Sequence, residues 1–433
     1  MLLDDAPDHS LAWYAQRKPV FTGANQVQLL RGGREMFPAQ VQAISQAQRS
    51  VWMATYLVWR EGEVGSVLTA LCQAAERGVA VHLVVDGVGS RGVPVEVWDT
   101  LRRSGVQLVV YRPVSDLWNL LRNPKQWRRM HMKLCVIDEN CAFVGGINLI
   151  DDHYDLVHGW AERPRLDYAV QVTGTAALPM LDTVRAVWTR ATHGRDWRDD
   201  LSEWGRDPVR LKHLRKLWRA ARLKRTPAQL GQLHHAASNR QPMRAAFVLR
   251  DNLRQRRTIE HAAQQAIVQA RSHIDIATPY FYPGRLLQKA LRKAAQRGVR
   301  VRLLLQGKPD YRIAGIAARV LYNELQRHGV RIYEYQPALL HAKVLCVDDE
   351  WATIGSSNLD PLSLMMNLEA NLIVRDRGFG LAVSRALARD FADSHEVPRP
   401  KQLGSSIGAR FMRGLVAWCA KTYLRLAGVA QPR

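Results

Sequence analysis

An α/β fold made of two similar halves is what this 433-residue chain predicts, and three observations carry that expectation. First, one pattern occurs twice in identical spacing, H-x-K-x(4)-D-x(6)-G-[GS]-x-N: His131, Lys133, Asp138, Gly145, Gly146 and Asn148, then His341, Lys343, Asp348, Gly355, Ser356 and Asn358. Second, the likeness extends well outside the pattern, as expected of an internal repeat. Third, each half alternates helical stretches with short Val/Ile/Leu-rich runs, the signature of helices covering a buried sheet.

In chain order, Ala43-Ile44 and Ala47 match Ala266-Ile267 and Ala270, and Ala54-Thr55 matches Ala277-Thr278. Ala74-Ala75-Glu76-Arg77-Gly78-Val79 recurs as Ala294-Ala295-Gln296-Arg297-Gly298-Val299; each is followed by an apolar run, Val81 to Val85 and Val301 to Leu305. These read as helix, glycine turn and strand. Gly105, Tyr111 and Pro113 correspond to Gly329, Tyr335 and Pro337. Met130 to Ile137 and His341 to Val347 read as strands, which puts each His and the Lys two residues on along one face. Asp138 and Asp348 open tight polar turns, and a returning strand ends at Gly145-Gly146 or Gly355-Ser356. The expected division is an N-terminal segment 1–24, a first domain 25–205, a basic linker 206–243, a second domain 244–400 and a basic amphipathic tail 401–433. Strand order cannot be read.

A hydrophobic content of 47% is enough for two substantial cores. The five cysteines, Cys72, Cys135, Cys141, Cys346 and Cys419, form no C-x-x-C pair, which points to a reducing compartment. Met1 to Val20 lacks a basic start and an apolar core, so it does not read as a secretory signal. No run of about 18 apolar residues reads as a membrane span.

Charge narrows the partner. Against 39 acids stand 62 Lys and Arg, a net +23, which suits a polyanion: nucleic acid or an anionic lipid surface. From Arg210 to Arg225 there are eight basic residues and no acid, with Leu211, Leu214, Leu217, Trp218 and Ala221 at helical spacing. A solvated interdomain helix and a polyanion contact both fit that segment. Ile407 to Leu426 combines Phe411, Trp418, Tyr423 and several aliphatics with Arg410, Arg413, Lys421 and Arg425. Such a segment lies in a lipid interface or docks on the protein's own core. Between Pro113 and His131 lie 17 residues, against three between Pro337 and His341. This insertion, with Trp118, Trp127 and Arg128, is expected either to cover the site and meet lipid or to be a plain surface loop.

Two imidazoles, two ammonium groups and two clusters of neutral donors suit displacement at a phosphodiester. One neutral His attacks phosphorus while the other, protonated, donates to the departing alkoxide. An ordinary imidazole pKa near 6.5 lets both forms coexist around neutrality. Lys133 and Lys343 would hold the non-bridging oxygens, with the amides of Asn148 and Asn358 and the backbone beside Gly146 and Ser356. No cluster of ligand spacing calls for a metal, and no cofactor is implied.

These residues resemble the phospholipase D superfamily, whose signature is the doubled pattern, over nearly the whole chain. Within it the likeness is to bacterial cardiolipin synthases of the short type, in the stretches Asp86-Gly-Val-Gly-Ser90, Arg128-Arg-Met-His131, Phe143-Val-Gly-Gly-Ile-Asn148, Leu304-Leu-Gln-Gly307 and Trp351 to Ser363. The resemblance implies two tandem pseudo-symmetric domains, each a mixed β-sheet flanked by helices, sharing one active site at their interface. It implies His131 as nucleophile and His341 as general acid, and a downstream carboxylate, Asp167 or Glu369, orienting each imidazole; Asp138 and Asp348 would mainly hold the turns. It further implies phosphatidyl transfer between two phosphatidylglycerol molecules to give cardiolipin and glycerol, and peripheral attachment at the cytoplasmic face of a bacterial inner membrane. Hydrolytic phospholipase D, phosphatidylserine synthase and, less favoured, a nuclease are the rival readings. No oligomeric state follows.

One pattern is a decoy. Gly87-Val-Gly-Ser-Arg-Gly92 matches a dinucleotide fingerprint, yet the second half has no counterpart and no acid ends the next apolar run. His82, His234, His235 and His273 match no repeat position and are expected to be structural or exposed; Cys135 and Cys346 are expected simply to pack.

Overall fold

The computed structural model of the chain describes residues 14, 16–59, 62–113, 128–156, 159–193, 242–251, 255–281, 283–307, 322–358 and 367–398. The basic segment 210–225, the amphipathic tail 407–426, residues 114–127 of the insertion, and His234, His235 and Cys419 lie outside them.

The first half contributes β1 (Thr22–Arg31), β2 (Ser50–Thr55), β3 (Ala80–Asp86), β4 (Gln107–Tyr111), β5 (Leu134–Ile137), β6 (Cys141–Gly145), a small hairpin of β7 (Tyr154–Asp155) and β8 (Gly159–Trp160), and β9 (Tyr168–Thr173). The second contributes β10 (Met243–Arg250), β11 (His273–Ala277), β12 (Arg300–Gln306), β13 (Arg331–Tyr335), β14 (Val344–Val347), β15 (Trp351–Gly355), β16 (Glu369–Arg375) and β17 (Ser394–Glu396). The halves do not keep separate sheets. They join through β1 and β10 into one sheet, ordered β4-β3-β2-β5-β6-β9-β1-β10-β16-β15-β14-β11-β12-β13-β17. Read outward from that joint, the two halves repeat one strand order, with β17 added at the edge of the second. Pairing is parallel along β2-β3-β4 and β11-β12-β13 and antiparallel elsewhere, so each half is mixed.

Helix periodicity explains the layers. The helix Arg285–Gln296 buries Leu287, Ala290, Leu291 and Ala294, and Val64–Glu76 buries Val64, Val67, Leu68, Leu71 and Ala74. That is one apolar stripe each, and a buried Leu or Val contributes about 1.5–3 kcal/mol. Both helices end as the repeat predicts: Gly78 and Gly298 take φ of +88° and +89°, and the next residue's N–H turns back to Ala74 O at 3.0 Å and Ala294 O at 3.1 Å. The sheet has one cluster of buried residues per half on its outer faces, Ile44 to Phe143 and Ile259 to Trp351 among them. A third cluster is shared by both halves, including Met130, Met132, Leu166, Leu340, Ala342 and Leu368. The histidine motifs enter that shared layer.

One sequence expectation needs correction. The strands begin only at Leu134 and Val344, so His131–Lys133 and His341–Lys343 are extended lead-ins outside the ladder. Their backbone groups are thereby available to the opposite half.

Candidate active site

The lead-ins are held by exchange between the halves. His131 N donates to Leu368 O at 3.0 Å and Leu368 N to Arg129 O at 2.9 Å; symmetrically, His341 N donates to Leu166 O at 2.8 Å and Leu166 N to Leu339 O at 2.8 Å. Each bridge places a motif histidine beside the residue that precedes the other half's carboxylate. The carboxylates therefore serve crosswise. Glu369 accepts from His131 Nδ1 at 3.1 Å, and Asp167 accepts from His341 Nδ1 at 2.6 Å. With Nδ1 engaged, Nε2 carries the lone pair in each neutral ring. The two imidazole centroids stand 6.5 Å apart with planes at 66°. Lys133 and Lys343 are buried at the same place, each donating to the carbonyl of its own motif histidine.

Burial and this density of cations displace the pKa values. Burial pushes His131 down; Glu369 opposes the shift and the two lysines add to it. His341 is driven well below the ordinary value by burial, then by Lys343, Lys133, Arg165 and His131. The expectation of two imidazoles titrating near 6.5 is thus corrected: in the free protein both are neutral at neutral pH. Burial and Lys343 push Lys133 down to about 7. The carboxylates differ. Burial lifts Asp167 to about 6, whereas in Glu369 the opposing pull of His131, Lys133 and the Ser356 hydroxyl overcomes burial and holds the carboxyl below its usual range.

Gly146 and Ser356 do not offer their backbone N–H groups to an anion. Those donors are taken by Tyr168 O at 2.9 Å and Ala370 O at 3.0 Å, because both residues continue the β6-β9 and β15-β16 pairings. They set the carboxylates instead. A Cβ on Gly146 would stand 2.3 Å from Asp167 Oδ1, so only glycine leaves that carboxylate its place. Ser356 Oγ donates to Glu369 Oε2 at 2.5 Å. Asn148 and Asn358, two residues further along each chain segment, are buried, and Asn148 Oδ1 makes no hydrogen bond among the described residues.

Asp138 and Asp348 sit at the far ends of β5 and β14. Asp138 accepts from the N–H groups of Gln48, Arg49 and Ser50 at 2.8–2.9 Å, and Asp348 from those of Arg271, Ser272 and His273 at the same range. Both turns run through positive φ, +49° and +64° at Asp138-Glu139 and +54° and +55° at Asp348-Asp349. Neither carboxylate joins the histidines.

Three features escaped the sequence reading. Asp86, at the end of β3, accepts from Arg129 Nη2 at 2.7 Å, Met130 N at 2.9 Å and Val88 N at 2.9 Å; the glycine-rich loop thus braces the His131 lead-in and is no nucleotide cradle. In the second half neutral Gln306 takes this place, accepting from Leu340 N at 3.1 Å. Tyr56 lines the site with its ring 5.1 Å from that of His131 and 5.5 Å from Lys133 Nζ. Arg165, only two residues before Asp167, adds a cation on the His341 side. A counterpart sharing the bracing role of Asp86, in a repeat aligned residue by residue, was the available signal.

Elsewhere, His82 stacks on Trp52 at 3.7 Å and Cys135 and Cys346 are buried. His273, Cys346 and Asp349 bring donor atoms within 4.8 Å of one another. These donors already satisfy each other or the backbone: His273 Nε2 meets Asp349 at 3.0 Å, and the thiol, pushed up to about 12 by burial and nearby acids, donates toward Gly380 O. Among the described residues no helix is long and apolar enough to cross a membrane.

Comparison with known proteins agrees with this geometry. Residues 41–158 and 264–394 match the family model for the cardiolipin synthase, PLD-like domain. The chain is 38% identical to cardiolipin synthase B of Salmonella typhimurium over 423 residues, 94% of this chain and 93% of that protein. It is 30% identical to cardiolipin synthase A of Pseudomonas aeruginosa, over 88% of this chain and 72% of that one. The crystal structure of phosphatidylserine synthase from Haemophilus influenzae shares the fold, with a TM-score of 0.62 at 15% identity, covering 96% of this chain and 97% of that one. The chain therefore belongs to the cardiolipin synthase family of the phospholipase D superfamily, and is a phosphatidyltransferase of that family.

Proposed function

We propose that this site moves a phosphatidyl group from one phosphatidylglycerol to the free glycerol hydroxyl of a second, yielding cardiolipin and glycerol. The observation that carries the reading is the pair of imidazoles 6.5 Å apart, each backed by a carboxylate from the opposite half. A nucleophile in near attack stands about 3–3.5 Å from its target, so this gap admits one phosphorus between the rings.

In the first step His131 Nε2 bonds to phosphorus, the bond to the headgroup glycerol oxygen breaks, and His341 gives that oxygen its proton. In the second, neutral His341 takes the proton of the acceptor hydroxyl, the oxygen bonds to phosphorus, and the phosphorus–nitrogen bond breaks to restore His131. The ionised Glu369 suits it to balance positive charge on a phosphorylated His131, which favours His131 as the nucleophile. His341 gains its proton as the substrate arrives, because the phosphodiester charge offsets the field of Lys133 and Lys343 that disfavours the imidazolium. The lysines, with Asn148 and Asn358 at hand, stabilise the non-bridging oxygens. The partners are phosphatidylglycerol and other anionic phospholipids, met by peripheral attachment at the cytoplasmic face of the bacterial inner membrane, where a net +23 is drawn to anionic headgroups.

The test is incubation with labelled phosphatidylglycerol vesicles and, in parallel, single-stranded DNA. Cardiolipin and glycerol form from the lipid, DNA stays intact, and His131→Ala and His341→Ala each abolish turnover. Release of phosphatidic acid alone, cleavage of DNA, or substantial activity left in either variant contradicts the proposal.

A further inference from the structure

Five large apolar side chains stand exposed among the described residues, and two of them, Leu156 at 50% and Trp160 at 60%, share the β7–β8 hairpin. Behind them is an aromatic stack. Trp59 lies on Tyr154 with centroids 5.5 Å apart and planes at 19°, and Tyr154 meets Trp160 at 5.3 Å.

Two members of this stack, Trp59 and Tyr154, lead to the reacting histidines. Trp59 ends the short stretch that begins at Tyr56, whose ring faces His131. On the other side, Arg165 Nη2 donates to Tyr154 O at 2.7 Å and pairs with Asp155 at 3.6 Å. The next residue, Leu166, accepts the His341 N–H, and Asp167 holds the His341 ring. The hairpin is fastened to the scaffold as well: Ala161 N donates to His153 O and Arg165 N to Asp152 O, both at 2.7 Å. Exposed Leu156 and Trp160 thus stand on a braced base, a few residues along the chain from the groups that hold the site.

We propose that the β7–β8 hairpin, through Leu156 and Trp160, is the element that seats the enzyme on an anionic phospholipid leaflet with its active site at the headgroups. This rests on the phospholipid reading of the site. If the substrates are diacyl lipids, their chains stay in the bilayer while the phosphodiester reaches between His131 and His341, so the surface beside the site must abut the leaflet. Trp belongs at the headgroup level, where its ring is part apolar and part polar, and Leu inserts just below it. The net +23 supplies long-range attraction to an anionic surface, and the uncharged Leu156 and Trp160 supply short-range anchoring.

The full chain is tested for co-sedimentation with vesicles of equal parts phosphatidylglycerol and phosphatidylcholine, at high salt so that screened charge leaves the apolar part visible. Leu156→Glu combined with Trp160→Glu lowers vesicle binding and vesicle turnover about tenfold or more, since an interfacial Trp and Leu are replaced by charges. Dispersed dihexanoyl phosphatidylglycerol is turned over as by the parent. Leu156→Phe with Trp160→Phe keeps vesicle binding. Val268→Glu, an equally exposed apolar position on the helix Thr258–Gln269, leaves it unchanged. Parental vesicle binding in the double glutamate variant overturns the proposal. So does equal loss on the dispersed lipid, which makes the hairpin a support of the site. A loss of self-association with vesicle binding intact assigns the patch to a second copy and likewise refutes it. Failure of the parent itself on both vesicles and dispersed lipid would instead reject the phospholipid reading.

Discussion

Replacing Glu369 by Gln removes one charge from a fully buried position while keeping an acceptor of the same shape for His131 Nδ1. The carboxylate lies 3.1 Å from the ring nitrogen, so about 4 Å separates the charge centres once His131 becomes cationic on phosphorylation. At an effective dielectric of about 20 that attraction is about 4 kcal/mol. Each 1.36 kcal/mol on the barrier is tenfold in rate, so full loss is about a thousandfold. The amide oxygen keeps part of the hydrogen bond, and kcat is expected to fall about a hundred- to a thousandfold with little change in KM. The assay is cardiolipin formation from labelled phosphatidylglycerol, with circular dichroism to verify the fold. The crossed pairing has its own readout, because Glu369 raises the His131 pKa. In histidine-labelled protein followed by nuclear magnetic resonance, Glu369→Gln should move the His131 titration to still lower pH and leave His341 where it was. A folded variant within tenfold of the parent, or a shift at His341 instead, refutes the reasoning.

The remaining predictions concern the supports of the same site. Gly146→Ala puts a Cβ 2.3 Å from Asp167 Oδ1 and displaces the carboxylate from His341; kcat drops about a hundredfold. Ser356→Ala removes one hydrogen bond to a charged group at Glu369, about 1.5–3 kcal/mol, and lowers kcat about tenfold or somewhat more. Asp138→Asn weakens the three N–H contacts of the β5–β6 turn and should cost about 2 kcal/mol in urea unfolding at neutral pH. Backbone N–H donors outweigh burial and hold the Asp138 carboxyl below its ordinary value, so its contribution is present above the unfolded pKa and fades as pH falls through the folded one; the gap between parent and variant narrows in acid. Lys133, pushed down to about 7, must be charged to hold phosphate, so kcat/KM of the parent declines as pH rises through about 7. Lys343→Met removes a cation that depresses Lys133, so that decline moves to higher pH although maximal activity falls.

The sequence alone determined the residue types and their duplication: an imidazole, an ammonium and a turn-forming aspartate in fixed spacing, twice, on alternating helices and apolar strands. Those features are local, because a glycine turn, an amphipathic stripe and an H-x-K lead-in each follow from neighbours along the chain. Only the tertiary structure decided how the halves share the work. Glu369 serves a histidine 238 residues away and Asp167 one 174 residues away, and nothing in either local stretch says that the carboxylates cross. Gly146 and Ser356 looked like anion donors because small residues end both strands, yet the ladder claims their N–H groups, and what the two residues set is the place of each carboxylate. Protonation was equally invisible, since it depends on burial and on charges from both halves summed through space. A chain records its own order; which groups lose water together is settled only when its two halves close on each other.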